Sequence, residues 1–183
     1  EFAATSESLG GASAPSAVWL RPDAIFGGAA QLFGDHGGGA RLALGAAQLG
    51  DTWLLGALAT LAASPALLRQ LFVSTRGAAH GVYTVQVFVH DEWVQVMVDD
   101  RLPCDPSTRE PLYVRSCRHG ELWPCLVEKA LAKLHGSYAA LHGGSFARAL
   151  RDLTGGVPRV RPSRELGWAD VEATLAADAP LAF

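Results

Sequence analysis

Residues 49–61, LGDTWLLGALATL, decide the fold, because they predict a helix that carries apolar residues on every face and is therefore buried. Asp51 or Thr52 supplies an N-cap for this helix. Ser64 and Pro65 interrupt it and start a second, shorter helix that runs to about Phe72. We therefore expect two helices in series, of which the first lies in the core.

The next block, residues 81–100, reads GVYTVQVFVHDEWVQVMVDD and alternates β-branched or aromatic residues with polar ones. This period of two predicts a β-hairpin whose turn lies at His90, Asp91 and Glu92. One face of the hairpin, expected to pack on the core, carries Tyr83, Val85, Val87 and Val89.

The rest of the chain predicts an α+β fold. Prolines at 103, 106 and 111 indicate a loop over residues 101–118. A long helix is expected over about 122–138, with Pro124 in its first turn and Gly136 at its end. Shorter helices are expected at 145–152 and 168–177, with a strand at the very end.

Two segments near the start predict irregular structure. Residues 1–17 are small and polar without a period, which is typical of a flexible lead-in, and we expect structure to begin at Val18. His36–Ala40 (HGGGA) predicts a loop. It differs from a phosphate-binding glycine loop because no strand precedes it and no GK[ST] sequence follows.

Composition excludes several classes of protein. The chain has 183 residues, of which 49% are hydrophobic and 18% charged, so a disordered chain is excluded. The net charge is −3 and no basic block is present, so nucleic acid is not an expected partner. The longest uncharged apolar run, residues 52–63, is shorter than the roughly 20 residues of a membrane span. An odd number of cysteines and no basic start predict a reducing, cytoplasmic location without a secretion signal.

The stretch 49–61 resembles the signature of the calpain family of papain-like cysteine proteases, in which a cysteine stands between GD and WLL. Further matching segments are WLRP at 19–22, WVQVMVDDRLP at 93–103, ELWPCLVEKALAKLHGSYAAL at 121–141 and TGG at 154–156. The resemblance covers residues 18–183. It implies the first lobe of a two-lobed protease core over residues 18–153 and the incomplete beginning of the second lobe over residues 154–183.

The same resemblance implies that two catalytic positions are lost. Thr52 stands where the family has its nucleophilic cysteine, and Ala46 stands where it has the glutamine of the oxyanion hole. A threonine hydroxyl is much harder to deprotonate than a thiol, and an alanine side chain donates no hydrogen bond. The family's histidine base and asparagine orienter would lie in the second lobe, and these 183 residues contain no asparagine.

Calpain cores also bind calcium in the first lobe, and the resemblance assigns the ligand positions. Glu121 matches one acidic ligand and Gly38 a loop carbonyl, whereas Ala43 stands in place of the other acid. Because one charged ligand is missing, we expect no cofactor, with a residual calcium site through Glu121 and Gly38 as the open alternative. Arg41 matches a basic residue that contacts the second lobe in the family.

Other candidate residues have simpler interpretations. Cys125 is expected on the apolar face of the long helix, and Cys104 and Cys117 in or beside the proline-containing loop, with no nearby base to activate any of them. Asp99 and Asp100 are expected to be turn residues paired locally rather than a paired-carboxylate site.

The leading functional prediction is a proteolytically inactive calpain-like domain, not an enzyme, that acts as a structural or protein-docking module. The resemblance implies protein partners of cytoskeletal or microtubule-associated type and a cytoplasmic location at a cilium or flagellar axoneme. The alternative is a calcium-dependent cysteine endopeptidase that is inactivated at Thr52, with its histidine and asparagine outside these residues. A calcium-responsive regulatory module is the third reading.

Overall fold

The computed structural model describes residues 2–34, 41–45, 50–165 and 167–176. Within these ranges the α-helices are α1 (Ser6–Leu9), α2 (Pro22–Phe26), α3 (Thr52–Ala62), α4 (Pro65–Gln70), α5 (Trp123–His135), α6 (Phe146–Thr154) and α7 (Trp168–Ala176). Short 3₁₀ turns cover Gly11–Ser13, Ala78–His80, Ala139–Leu141 and Ser163–Glu165.

The strands of the described residues form three small antiparallel sheets. The strands are β1 (Val18–Leu20), β2 (Leu42–Leu44), β3 (Phe72–Ser74), β4 (Val82–Val89), β5 (Glu92–Asp99), β6 (Leu102–Cys104) and β7 (Val114–Ser116). β1 pairs with β6, β2 pairs with β7, and β3, β4 and β5 form a three-stranded sheet in chain order. Helices and strands are both present throughout, so the predicted α+β class is confirmed.

The β4–β5 hairpin confirms the period-two prediction. His90 and Asp91 form its two-residue turn with positive φ values of 52° and 65°, which is the backbone that a tight hairpin turn requires. Tyr83, Val85 and Val87 are buried on the predicted inner face.

The core is one cluster of buried residues to which α3, α5 and the β4–β5 hairpin all contribute. α5 packs against β4, β5 and β7, and α3 packs against α4, α6 and β2. Leu54, Leu58 and Leu61 of α3 have no exposed surface, and burying each leucine stabilises the fold by about 1.5–3 kcal/mol. α3 therefore buries its apolar surface mainly against helices and β2, whereas α5 buries its own against the strands.

Helix boundaries agree with the sequence signals. Pro65 lies in the first turn of α4 and Pro124 in that of α5, where a proline loses no hydrogen bond. Gly136 ends α5 with a φ of +100°. The predicted helices at 145–152 and 168–177 correspond to α6 and α7, and the predicted strand at the very end lies outside the described residues.

Two predictions about irregular segments were wrong. Structure does not begin at Val18, because α1 precedes it, Leu9 lies in the core and the Ser8 carbonyl accepts a hydrogen bond from Tyr138 N at 2.9 Å. The segment 101–118 is not entirely loop, because it contains β6 and β7. Pro103 fits in β6 because this two-stranded ribbon requires no donor from it, while its carbonyl accepts from Leu112 N at 2.9 Å.

Candidate functional site

The start of α3 is the first part of the candidate site. Thr52 is the first residue of this helix and its side chain is exposed. The carbonyl of the preceding residue, Asp51, accepts hydrogen bonds from Leu54 N at 2.8 Å and Leu55 N at 3.1 Å. Asp51 occupies the N-cap position, yet its side chain makes no capping bond. Among the described residues no acceptor is bonded to the backbone N–H groups of Thr52 and Trp53, which is normal for a first helical turn.

A second segment, residues 141–144, forms the other side of this site. Trp53 Nε1 donates to the Leu141 carbonyl oxygen at 3.2 Å, and Gly143 N donates to the Gly50 carbonyl oxygen at 3.4 Å. A Cβ on Gly144 would lie 2.3 Å from Cε2 of Trp53, so only glycine allows this approach. We call the surface formed by residues 50–53 and 141–144 the helix-start cleft.

The helix-start cleft carries a hydroxyl without an activating base. His142 lies beside Gly50, whose Cβ would be 3.2 Å from the imidazole Nε2, but the structure shows no hydrogen bond between His142 and the Thr52 hydroxyl. An internal threonine needs an adjacent base to become a nucleophile. Among the described residues, no group bonded to Thr52 supplies one.

The oxyanion position Ala46 and the loop residue Gly38 both lie outside the described residues. Those two predictions therefore stay predictions. Arg41 is exposed, and its carbonyl oxygen accepts a hydrogen bond from Cys117 N at 2.7 Å. Its predicted contact with a second lobe also stays a prediction.

Two of the three calcium-ligand positions, Ala43 and Glu121, lie among the described residues, and these two offer a poor calcium site. Ala43 lies in β2 opposite Arg115 of β7 and carries no oxygen on its side chain. The buried Glu121 carboxylate accepts from Gly34 N at 3.0 Å and from Ser116 Oγ at 2.5 Å. Calcium needs six to eight oxygen ligands, whereas here one acid is replaced and the other is already hydrogen-bonded to protein donors. Positions 43 and 121 therefore do not fit the ion, whereas Gly38 lies outside the described residues and the absence of calcium stays a prediction.

The three cysteines lie apart from the helix-start cleft. Cys104 and Cys125 are buried, whereas Cys117 is exposed, and all three are free thiols. Burial raises the pKa of the Cys104 thiol to about 12, and burial followed by the charge of Glu128 raises the pKa of Cys125. A reactive thiol needs the opposite shift, so these two buried cysteines are core residues.

The end of the hairpin contains ion pairs that the sequence indicated only in part. Asp99 Oδ1 accepts from Arg101 N at 3.1 Å, which is the predicted local turn contact. It also pairs with the buried Lys129 of α5, and Asp100 lies 3.5 Å from Arg21 Nε. These acids connect separate elements of the fold rather than forming a paired-carboxylate site.

One polar cluster beneath the helix-start cleft was missed by sequence reasoning. Asp51 and Glu128 are each 1% exposed, and the Tyr113 hydroxyl beside them is also buried. The burial of Glu128 was not predicted, because a glutamate in a long helix usually lies on the solvated face of that helix. The signal that could have found it is the apolar sequence on both sides, since α5 is buried continuously from Trp123 to Ala132.

The described part of the chain contains neither a cluster of metal-binding side chains nor a membrane-spanning helix. No three His, Cys, Asp or Glu side chains there are grouped so that they could hold a metal ion. Over the same residues, the helices are too short or too polar to cross a bilayer.

A buried helix that begins between Gly-Asp and Trp-Leu-Leu, in an α+β domain that also contains a hairpin and a long helix, is the arrangement of a calpain-type protease core. The profile of the "Calpain family cysteine protease" family matches residues 1–176. The chain belongs to the calpain family.

Individual relatives agree with this assignment. Calpain-9 of Rattus norvegicus is 38% identical over 163 residues, which cover 86% of this chain and 23% of that protein. Calpain clp-4 of Caenorhabditis elegans is 37% identical over 180 residues, covering 96% of this chain and 24% of that protein. The calpain-type cysteine protease ADL1 of Oryza sativa subsp. japonica is 45% identical over 109 residues, covering 60% of this chain and 5% of that protein. The chain thus spans about a quarter or less of these relatives.

Proposed function

We propose that this chain is a proteolytically inactive calpain-type lobe that docks other proteins rather than cleaving them. The observation that carries the proposal is the exposed Thr52 at the start of α3. The Trp53–Leu141 hydrogen bond and the close approach of Gly144 to Trp53 keep the helix-start cleft in shape. The helix-start cleft thus carries a threonine hydroxyl where the family has a cysteine thiol.

The lack of activity follows from the chemistry of the hydroxyl. A thiol at a helix N-terminus can ionise near neutral pH, but an alcohol cannot. Ala46 adds a second defect, because losing one oxyanion donor lowers the rate about 10²- to 10³-fold. Two separate losses support natural loss of catalysis.

The helix-start cleft offers groups that suit an extended peptide. Its exposed residues include Thr52, Gly143 and Gly144, so a peptide backbone can approach closely. The unpaired N–H groups at the start of α3 can donate to peptide carbonyl groups. A peptide bound here would stay uncut because no activated nucleophile faces it.

The docking role is proposed to be independent of calcium. Its proposed partners are cytoskeletal or microtubule-associated proteins. Its proposed location is the cytoplasm, at a cilium or flagellum where the cell has one. Calcium independence rests on the methyl group of Ala43 and on the protein donors bound to Glu121. The cellular location rests on the family resemblance.

The first test is fractionation of detergent-extracted cells that express the natural protein. We expect retention with the insoluble cytoskeleton through moderate salt. A Thr52→Arg variant, which places a long cationic side chain in the helix-start cleft, should be released. The matched control is Ala59→Arg, at an exposed position of the same helix, and it should be retained. Release of the unsubstituted protein would contradict the cytoskeletal role, and retention of Thr52→Arg would contradict docking in this cleft.

The alternative, an endopeptidase inactivated only at its nucleophile, is tested by Thr52→Cys in a chain that includes the second lobe. We expect the single variant to leave a fluorogenic peptide uncut. The double variant Thr52→Cys with Ala46→Gln reports whether the rest of the protease fold still supports catalysis. Full cleavage by the single variant would favour the alternative.

A further inference from the structure

We propose that Asp51 and Glu128 form a proton-binding site in which the two buried carboxyl groups share one proton at neutral pH. The site lies directly beneath the helix-start cleft and joins the first residue before α3 to the middle of α5. Asp51 is one of the residues of the helix-start cleft, but its carboxyl group is buried. The pair is therefore distinct from the exposed residues of the docking surface proposed above.

The geometry is that of a closed acidic pair. Asp51 and Glu128 are each 1% exposed, so water does not solvate either carboxyl group. Neither oxygen of Asp51 accepts a hydrogen bond from the described residues. Glu128 accepts from Val114 N, at 3.2 Å to Oε1 and 3.1 Å to Oε2. The Asp51 carboxyl group faces that of Glu128 and raises its pKa. The Tyr113 hydroxyl, which has no hydrogen-bond partner, is buried close to both acids.

Such a pair needs a proton because ionised carboxylates only accept hydrogen bonds. Two ionised groups would place like charges together in a buried environment, which is strongly unfavourable. One proton converts the contact into a hydrogen bond from one acid to the other. This satisfies an oxygen of Asp51 that otherwise has no donor.

The groups around the pair do not neutralise two charges. From α5 and the turn after it, the neighbours are the thiol of Cys125 and the hydroxyl of Tyr138, and from the segment before β7 the neighbour is Tyr113. His142 lies on the outer side of Gly50. Arg115 of β7 lies close enough to Cys125 to lower the pKa of that thiol slightly, and it is paired with Glu110 at 2.9 Å. No cation among the described residues contributes to the pKa shift of Glu128.

The pKa of Glu128 is shifted in the direction that the geometry predicts. Burial raises the pKa of Glu128 well above its ordinary value of 4.5, and the facing Asp51 carboxyl raises it further. The folded state therefore holds a proton that the unfolded chain releases above about pH 4.5. The stabilisation that this proton provides is complete below the pKa that Glu128 has in the unfolded chain. It is lost as the pH rises through the higher pKa that Glu128 has in the folded chain.

The test compares urea unfolding of the chain with that of Glu128→Gln from about pH 5 to pH 9, a range that spans the linkage. Glutamine keeps an oxygen for Val114 N and donates an N–H to Asp51, as the protonated acid does. We expect the unfolding constant of the unsubstituted chain to rise relative to that of the variant by up to about tenfold per pH unit, the slope of one linked proton. The control Glu92→Gln, at an exposed position of β5, should keep the slope of the unsubstituted chain. Equal slopes in all three proteins would overturn the proposal.

A second measurement does not depend on the stability of any variant. Infrared spectra of the unsubstituted chain at neutral pH should show the carbonyl band of a protonated carboxylic acid that exchanges slowly with deuterium. The band should disappear on unfolding, and it should also be absent from Glu128→Gln, in which an amide replaces the acid that holds the proton. Absence of the band from the folded, unsubstituted chain would show that both acids are ionised and would overturn the proposal.

Discussion

Gly144 lies directly against the indole ring of Trp53, with space for a hydrogen atom but not for a methyl group. A Cβ at this position would be 2.3 Å from Cε2 and 2.5 Å from Cδ2 of the ring. The contact fixes Trp53, whose Nε1 in turn donates to the Leu141 carbonyl. The position of the helix-start cleft thus depends on a residue with no side chain.

Replacing Gly144 by alanine should displace the Trp53 ring. We expect a loss of about 1–3 kcal/mol, as for other overpacked sites, with a change in tryptophan fluorescence. Gly143→Ala is the matched control, because its Cβ would meet nothing within 4 Å and only its φ of +72° is strained. That control should cost roughly 1 kcal/mol and leave the fluorescence unchanged. Equal spectral changes in the two variants would contradict the role of the contact.

The Lys129–Asp99 pair should make Asp99→Ala more harmful than a substitution of an exposed charge. Lys129 is 1% exposed and also donates to the carbonyl oxygens of Asp99 and Arg101, at 3.2 and 2.5 Å. Removing Asp99 leaves a buried ammonium, so we expect a loss of about 2–3 kcal/mol. This is below the 3–5 kcal/mol of a fully buried pair, because two carbonyls remain and Asp99 is partly exposed.

Lys133→Met is the control for that experiment. Lys133 lies one turn further along α5 and donates to the Met97 carbonyl at 2.6 Å, but it is solvated. We expect a loss of about 1 kcal/mol or less from urea unfolding. A larger loss for Lys133→Met than for Asp99→Ala would contradict the assignment of Lys129 as a buried charge.

The sequence predicted the elements whose signals are local. The hairpin follows from alternation over 81–100, and the helix starts follow from prolines at 65 and 124. The pairings of β1 with β6 and β2 with β7 were not predictable, because each strand has three residues and its partner is at least 70 residues away. The position of Thr52 at the start of α3 was predicted, whereas the burial of Glu128 and Lys129 was missed, because charged neighbours in a helix ordinarily indicate its solvated face.

Alkylation of the native chain should label one cysteine. Cys117 is exposed, whereas Cys104 and Cys125 are buried, and burial raises the pKa of Cys104 to about 12. Mass spectrometry after brief treatment with iodoacetamide should show a single adduct, and unfolding in urea should give three. Thr52→Cys should add one more rapid adduct, because position 52 is exposed. A protected thiol at position 52 would contradict an open helix-start cleft.

Calcium should not stabilise this chain. Any ligand that binds only the folded state raises stability by RT ln(1 + [L]/Kd), which is about 2.7 kcal/mol at a hundredfold excess over Kd. Because Ala43 carries no carboxylate and Glu121 is bonded to Gly34 N and Ser116 Oγ, we expect no change in Tm and no heat in calorimetric titration up to millimolar calcium. A rise in Tm that Glu121→Gln abolishes would show instead that this glutamate exchanges its protein donors for the ion, and the chain would then be a calcium-responsive module.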